Sequence, residues 1–210
     1  MIIKSIIFSI STLLILSLVG WIFWEQEYKF SLPTPIPQNL NEVAIGDSVI
    51  GNQFGNKGIT YIHFYNRDCP CSRFNIQEFK NLVIKHSDQI NFIAVLETKD
   101  LSKDEITEFK DKYDLSIPII DDPIGDIANN YGVYSTPQAV IIKDSRIYYK
   151  GNYNKARFCL TRNTRFAEQA LDAAVNNKPL PEFPEIAIVP YGCELPTNNE
   201  SKSILSFLNL

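Results

Sequence analysis

Histidine, methionine and cysteine are scarce in this sequence, with two, one and four copies among 210 residues. So few histidines argue against a zinc hydrolase or another histidine-rich metal enzyme, and we assign no metal ligands. Four cysteines are too few for a small domain built on disulfides. Positive charge is not in excess, since the formal net charge is −4, which argues against a nucleic-acid partner. The 45% apolar and 12% aromatic content instead indicates an ordinary folded domain.

One stretch lacks charge altogether. The residues from Ser5 to Trp24 contain no charged side chain, and at about 1.5 Å per residue they are long enough to cross a hydrocarbon layer of about 30 Å. Trp21 and Trp24 close the run, where indole rings favour the headgroup region. The run exceeds the usual core of a signal peptide, and no A-x-A cleavage pattern follows it. We therefore expect an uncleaved transmembrane anchor over residues 1–24, with a topology that single lysines on either side leave undecided.

The rest of the chain divides by proline content. Residues 25–45 carry three prolines and little periodicity, which predicts a stiff, extended linker. The folded domain is expected over residues 46–177. From residue 178 to residue 210 five prolines exclude a continuous helix, so this segment is predicted to be a C-terminal tail.

Hydrophobic patterns in the domain alternate between strand and helix. The expected strands are 59–65, 91–97, 138–143 and 147–151, of which the last two form a β-hairpin. The expected helices are 70–86, 103–113, a short helix that begins at Pro123 with Asp122 as its N-cap, and a last helix that ends near Asn177. Two βα units, a short helix, a hairpin and a closing helix predict an α/β sandwich with a central mixed sheet.

The most distinctive local sequence is RDCPCSRF at 67–74. Cys69 follows the first buried strand and Pro70 opens a helix, so we expect Cys69 at the N-cap, with its sulfur near the unpaired N–H groups of Cys71 and Ser72. These donors and the helix dipole stabilise a thiolate and lower its pKa below about 8.5. The sequence therefore predicts a catalytic redox site in which Cys69 is the nucleophile and Cys71 its partner.

These residues resemble the active site of the thioredoxin superfamily, in particular its membrane-anchored, extracytoplasmic (TlpA-like) redoxins. The resemblance covers about residues 46–177 and rests on FYNRDCPC after the first strand and on STPQAVIIKDSRIYYKG. It implies a thioredoxin-like three-layer sandwich. It also implies a substrate groove beside the reactive sulfur, formed by Thr136, a cis Pro137 and Gly151 on the returning hairpin strand.

The sequence departs from the family's C-x-x-C box, because it has C-P-C-S with Ser72 at the resolving position. Side chains two residues apart on a helix point in directions about 200° apart. Cys71 therefore points away from Cys69 if the helix is regular there. We favour a small disulfide between Cys69 and Cys71. The alternatives are resolution by Cys159 or Cys193, binding of Cu(I) by the pair, and an inert pair. For Cys159 and Cys193 themselves we favour a structural disulfide that holds the tail, with an auxiliary redox role as the alternative.

The predicted function is thiol–disulfide exchange on extracytoplasmic proteins, as an oxidoreductase that requires no cofactor. Its partners would be protein thiols or disulfides and a redox partner protein. Since disulfides persist outside the cytoplasm, we expect a single-pass protein of the inner membrane whose soluble domain faces the periplasm. A Cu(I)-binding assembly or chaperone module that uses the same two cysteines, and a redoxin fold that only binds, are the alternatives.

Overall fold

The computed structural model describes residues 2–49, 54, 58–97, 103–155 and 162–197. The helices there are α1 (Ile2–Gln26), α2 (Pro70–His86), α3 (Lys103–Tyr113), α4 (Asp126–Asn130), α5 (Phe166–Val175) and α6 (Glu185–Ile188). The strands are β1 (Ile59–Tyr65), β2 (Asn91–Leu96), β3 (Ile119–Asp121), β4 (Ser135–Thr136), β5 (Gln138–Lys143), β6 (Arg146–Asn152) and β7 (Cys193–Glu194). Helices α2 and α3 have the predicted boundaries.

A five-stranded mixed sheet in the order β3-β2-β1-β5-β6 forms the centre of the domain. Strand β1 is parallel to β2 and antiparallel to β5, and the β5–β6 pair is the predicted hairpin. Strands β4 and β7 form a separate two-stranded sheet. Helices α2 to α6 contribute side chains to the cores on the two faces of this sheet, so the predicted fold class is confirmed.

Both faces of β1 are buried, as its continuous apolar sequence requires. Tyr61 and Tyr65 belong to a core that includes side chains of α2, α3 and α5. Ile62 and Phe64 point to the other face and belong to a second core with Ala128 of α4. The alternation of side chains along a strand thus joins the two cores through one central element.

The short helix begins later than its sequence predicts. Asp122 was expected to be the N-cap of a helix beginning at Pro123, but α4 begins at Asp126. The Asp122 carboxylate still serves the start of this helix, because it accepts hydrogen bonds from the N–H groups of Ile127 (3.1 Å) and Ala128 (2.9 Å). The N-cap residue of α4 is Gly125, so the predicted N-cap position of Asp122 is wrong, although its carboxylate binds N–H groups of the first turn.

Helix α1 is long and apolar enough to span a membrane. Within the helical segment Ile2–Ser31, the most apolar stretch of 18 residues has a mean hydropathy of 2.4, and none of that stretch is buried in the protein. The hydroxyls of Ser11 and Thr12 donate to carbonyl oxygens of the preceding turn. These two hydroxyls are therefore satisfied by the helix itself, as a hydrocarbon environment requires.

The predicted linker is only partly extended, because α1 continues to Gln26 and a 3₁₀ turn covers Tyr28–Ser31. Part of the remainder pairs with the rest of the protein and does not act as a free spacer. The Thr34 N–H donates to Pro190 O (2.9 Å), and the hydroxyls of Thr34 and Ser135 lie 2.8 Å apart. Farther along, the Asn41 N–H donates to Asn129 Oδ1 (3.0 Å). An extended backbone presents unpaired amide groups, and in this linker several of them find partners on the domain.

His63 lies in the middle of β1 and is fully buried. Its ring stacks on Phe79 with centroids 4.4 Å apart, and its Nδ1 lies 2.5 Å from the hydroxyl of Tyr153. Burial lowers the pKa of His63 from 6.5 to about 3. The imidazole is therefore neutral near pH 7 and belongs to the core.

Lowering the pH should destabilise the fold through His63. The unfolded chain binds a proton at His63 below about pH 6.5, whereas the folded chain resists protonation down to about pH 3. We therefore expect the free energy of unfolding to fall by about 1.4 kcal/mol per pH unit as the pH decreases through this window. Denaturant unfolding at several pH values measures this slope. His63→Gln should lose this contribution and His86→Gln should retain it; equal slopes in wild type and His63→Gln would contradict the assignment.

Candidate redox site

Cys69 stands where the central strand gives way to helix α2. Strand β1 ends at Tyr65, Pro70 is the first residue of α2, and Cys69 is its N-cap in extended conformation (φ −79°, ψ 117°). The Cys69 N–H donates to Asn66 O (3.2 Å), and its carbonyl accepts from the N–H of Arg73 (3.3 Å). The turn between strand and helix therefore fixes the backbone of Cys69 at both ends.

Three cysteine sulfurs meet at this turn. Cys69 forms a disulfide with Cys193, 124 residues away, with Cα atoms 5.8 Å apart. Cys71 is a buried thiol, and the three Sγ atoms lie within 4.8 Å of one another. The pairing that the sequence favoured, Cys69 with Cys71, is therefore not the one in the structure. A disulfide between Cys193 and Cys159 is likewise excluded in this state because the Cys193 sulfur is already bonded; Cys159 itself lies outside the described residues.

The disulfide also changes the electrostatics expected for Cys69. Its side chain accepts no hydrogen bond from the N–H groups that open α2, and its Sγ instead lies 3.4 Å from Thr136 O. The expectation of a thiolate held by helix N–H groups is thus wrong for this state, because a disulfide sulfur carries no charge for them to stabilise. Cys69 and Cys71 are each only 1% exposed. An external molecule can therefore reach Cys69 only after the part of the tail around Cys193 moves.

The part of the tail around Cys193 lies along β4, the strand that immediately precedes Pro137. The Thr136–Pro137 peptide bond is cis, as the resemblance implied. Strand β4 pairs antiparallel with β7, with Thr136 opposite Cys193. Thr136 thus contacts the disulfide, and the tail lies where an extended substrate was expected.

Gly151 contacts a different part of the tail. It lies in β6 opposite Ala139, and a Cβ added to it would be 2.2 Å from the carbonyl oxygen of Ala187 and 2.8 Å from the hydroxyl of Tyr149. Its lack of a side chain therefore lets helix α6 approach the sheet. A contact between Gly151 and substrate stays a prediction.

The sequence analysis missed a polar chain that links the cysteine turn to the tail. Asn75 donates from Nδ2 to Cys71 O (2.9 Å), and Asn154 donates from Nδ2 to Asn75 Oδ1 (2.8 Å). The Tyr191 hydroxyl in turn donates to Asn154 O. A signal was available, because Asn75 interrupts the apolar face of α2 one turn after Cys71.

A cavity of about 200 Å³ lies beside the start of α2. Arg67 and Arg73, which the sequence suggested as a source of positive field, both line it. Arg67 Nε is 3.6 Å from Asp68 Oδ1, an exposed ion pair that contributes little. The remaining lining residues are Tyr65, Asp68, Glu108, Phe109, Lys112 and Tyr113.

The fold and the position of Cys69, Cys71 and Pro137 define a thioredoxin-like protein, which confirms the resemblance seen in the sequence. The chain belongs to the family described as "Domain of unknown function (DUF6436)", whose model matches residues 44–193. No curated protein matches the chain. The family match thus extends past the last helix of the sandwich to Cys193 itself.

Solved structures share this fold at low sequence identity. A hypothetical protein from Sinorhizobium meliloti 1021 is 16% identical, with a TM-score of 0.63 over 74% of this chain and 96% of that one. An uncharacterized conserved protein from Geobacillus kaustophilus is 19% identical, with a TM-score of 0.60 over 77% and 91%. A thioredoxin-like protein in the oxidized form is 18% identical, with a TM-score of 0.51 over 70% and 97%. The similarity concerns the fold.

Disulfide mapping tests the observed pairing. Native, full-length protein would be treated with N-ethylmaleimide, unfolded, treated with a second maleimide of different mass and digested without reductant. We expect a linked pair of peptides that contain Cys69 and Cys193. Cys71 should carry mainly the second label, because its thiol is buried. A linked Cys69–Cys71 species as the main product would contradict the structure.

Proposed function

We propose that this chain is a membrane-anchored oxidoreductase that exchanges thiols and disulfides with proteins outside the cytoplasm. One observation carries the proposal: the sulfurs of Cys69, Cys71 and Cys193 lie within 4.8 Å of one another at the start of α2. Sulfurs so placed can pass one disulfide bond among themselves and to a bound substrate. Thr136 and Pro137 provide the backbone against which an extended substrate would bind.

Cys69 is the proposed nucleophile once its disulfide with Cys193 has been reduced. Its thiolate attacks a substrate disulfide, one substrate sulfur leaves as a thiolate, and a mixed disulfide forms. A second thiolate, from Cys71 or Cys193, then attacks Cys69 Sγ and releases the other substrate sulfur. After these two steps the protein contains one disulfide and the substrate contains two thiols. The same steps in the opposite direction oxidise a substrate. A redox partner protein returns the chain to its starting state.

The anchor and the disulfide together favour one location. Helix α1 would hold the chain in the inner membrane, and the domain would face the periplasm because a disulfide such as Cys69–Cys193 persists in an oxidising compartment. The substrates would then be periplasmic proteins. The net charge of −4 agrees with protein partners and does not favour nucleic acid.

Cysteine substitutions in the full-length chain test the activity. With dithiothreitol as reductant and insulin as a model disulfide substrate, Cys69→Ser should reduce turnover to the uncatalysed rate because the nucleophile is lost. The double variant Cys71→Ser/Cys193→Ser should retain the first attack and accumulate a mixed disulfide between Cys69 and substrate, visible by mass spectrometry. Gln77→Ala, at an exposed position farther along α2, is the control and should keep wild-type turnover. Wild-type turnover in Cys69→Ser would refute the proposal.

A second candidate function is Cu(I) binding for assembly or delivery. The specific observation in its favour is that three sulfurs converge, since soft thiolates are the ligands that Cu(I) prefers. Cys69, Cys71 and Cys193 would hold the ion in the reduced chain, where all three sulfurs are available. Oxidation of Cys69 and Cys193 removes two of these ligands and would release the metal.

Anaerobic titration of the reduced chain with Cu(I) against a chromophoric competitor tests this candidate. We expect one ion per chain and a loss of affinity of at least about tenfold in both Cys71→Ser and Cys193→Ser, because each removes one thiolate ligand. Gln77→Ala should bind as the wild type does. If the reduced chain fails to compete for Cu(I), the copper function is excluded while the exchange activity is unaffected.

A further inference from the structure

The segment Tyr191–Leu195, here called the tail strand, is bound as a peptide ligand would be. Thr136 and Ser135 of β4 pair with Cys193 and Glu194 of this strand. The Leu195 N–H donates to Tyr134 O (3.4 Å) and extends the pairing by one residue. Backbone pairing with an exposed strand is a general way of holding an extended peptide, with pockets for alternate side chains giving specificity.

The position before the cysteine accepts only glycine. Gly192 has a φ of +124°, and a Cβ added to it would lie 2.4 Å from the carbonyl oxygen of Thr136. A side chain would therefore both strain the backbone and collide with the strand that binds the peptide. A close approach of this kind to a backbone atom cannot be relieved by a side-chain rotation.

The position two residues after the cysteine is also selective. Leu195 is only 2% exposed and belongs to the core that contains Ile62 and Phe64. Glu194, between the two, is partly exposed. Because alternate residues of a strand point the same way, the groove receives Cys193 and Leu195 on one side, and the intervening side chain points to the other side.

We propose that the groove along β4 binds extended peptides of the pattern Gly-Cys-x-Leu, and that the tail strand is its built-in ligand, held as an internal mixed disulfide. This inference rests on the proposed function and names the substrate class of that site. Substrates are then proteins that present a cysteine after a glycine and before an aliphatic side chain two positions on. The tail strand competes with them for the same groove.

Attack by Cys71 would release the tail strand from its disulfide with Cys69. Its thiolate attacks Cys69 Sγ, a Cys69–Cys71 disulfide forms, the Cys69–Cys193 bond breaks, and Cys193 leaves as a thiolate that takes up the proton lost by Cys71. A substrate thiolate then attacks Cys69 Sγ, and Cys71 becomes the leaving thiolate and is reprotonated. One disulfide is present at every stage, so neither step needs an external oxidant or reductant.

Peptide exchange rates in the full-length Cys193→Ser chain test the selectivity. The reduced chain would react with peptides whose cysteine carries a coloured thionitrobenzoate leaving group, so that release of colour reports attack by Cys69. The probes are the tail sequence YGCEL, the single changes YACEL and YGCEA, and the reversed sequence LECGY. Each rate is divided by that of the same peptide with free N-acetylcysteine. We expect YGCEL to react at least tenfold faster than the other three.

The outcomes separate this inference from the proposed function. Rates within twofold of one another would overturn the selectivity while leaving Cys69 a working nucleophile. No reaction with any peptide would overturn both. A faster reaction of YGCEL that disappears in Cys69→Ser supports both.

The intact chain offers a second test. In Gly192→Ala with all cysteines present, the Cys69–Cys193 disulfide should be reduced at a glutathione ratio at least tenfold less reducing than in the wild type, because the tail strand fits its groove poorly. Gly46→Ala is the matched control: Gly46 also has a positive φ (+97°), and an added Cβ meets nothing within 4 Å. An unchanged redox equilibrium in Gly192→Ala, or the same shift in Gly46→Ala, would overturn the groove assignment.

Discussion

The pairing of β1 with β5 determines where chemistry can occur in this molecule. Because the two strands are antiparallel and Phe64 is opposite Gln138, the end of β1 lies beside the beginning of β5. Cys69 follows the first strand and Pro137 immediately precedes the second, so both reach the same edge of the sheet. The burial of β1 on both faces fixes this register, since a slip by one residue would turn every side chain to the other core.

The sulfur chemistry and the tail are coupled through burial. In the closed state the Cys69 sulfur is a neutral disulfide atom, which suits a position that is 1% exposed. A buried thiolate without hydrogen-bond donors would be unfavourable. In the proposed cycle, departure of the tail would let water reach the turn and would free the N–H groups at the start of α2 to stabilise the anion. The same movement would then both uncover Cys69 and make it reactive.

The sequence predicts local features of this fold well and distant ones poorly. Apolar runs located β1 and the β5–β6 hairpin, and Pro70 located the start of α2, because each signal lies within a few residues. The resemblance to thioredoxins supplied the cis Pro137. Cys193, the partner of Cys69, was predicted only as an alternative to Cys71, because it lies 124 residues away. Its position depends on side chains that bind backbone carbonyls of the tail, such as Asn152 to Val189 (2.6 Å), for which no periodic pattern exists.

The tail also contacts the linker that joins helix α1 to the folded domain. Pro33 forms a bridge with Tyr191, and Thr34 donates to Pro190 O. A tail that withdraws from the groove releases these contacts, and each linker residue freed in this way can extend by up to about 3.5 Å. If α1 lies in a membrane, the distance from the lipid surface to the sulfurs would then depend on whether the Cys69–Cys193 bond is present, and it would be greater in the reduced chain than in the oxidised one.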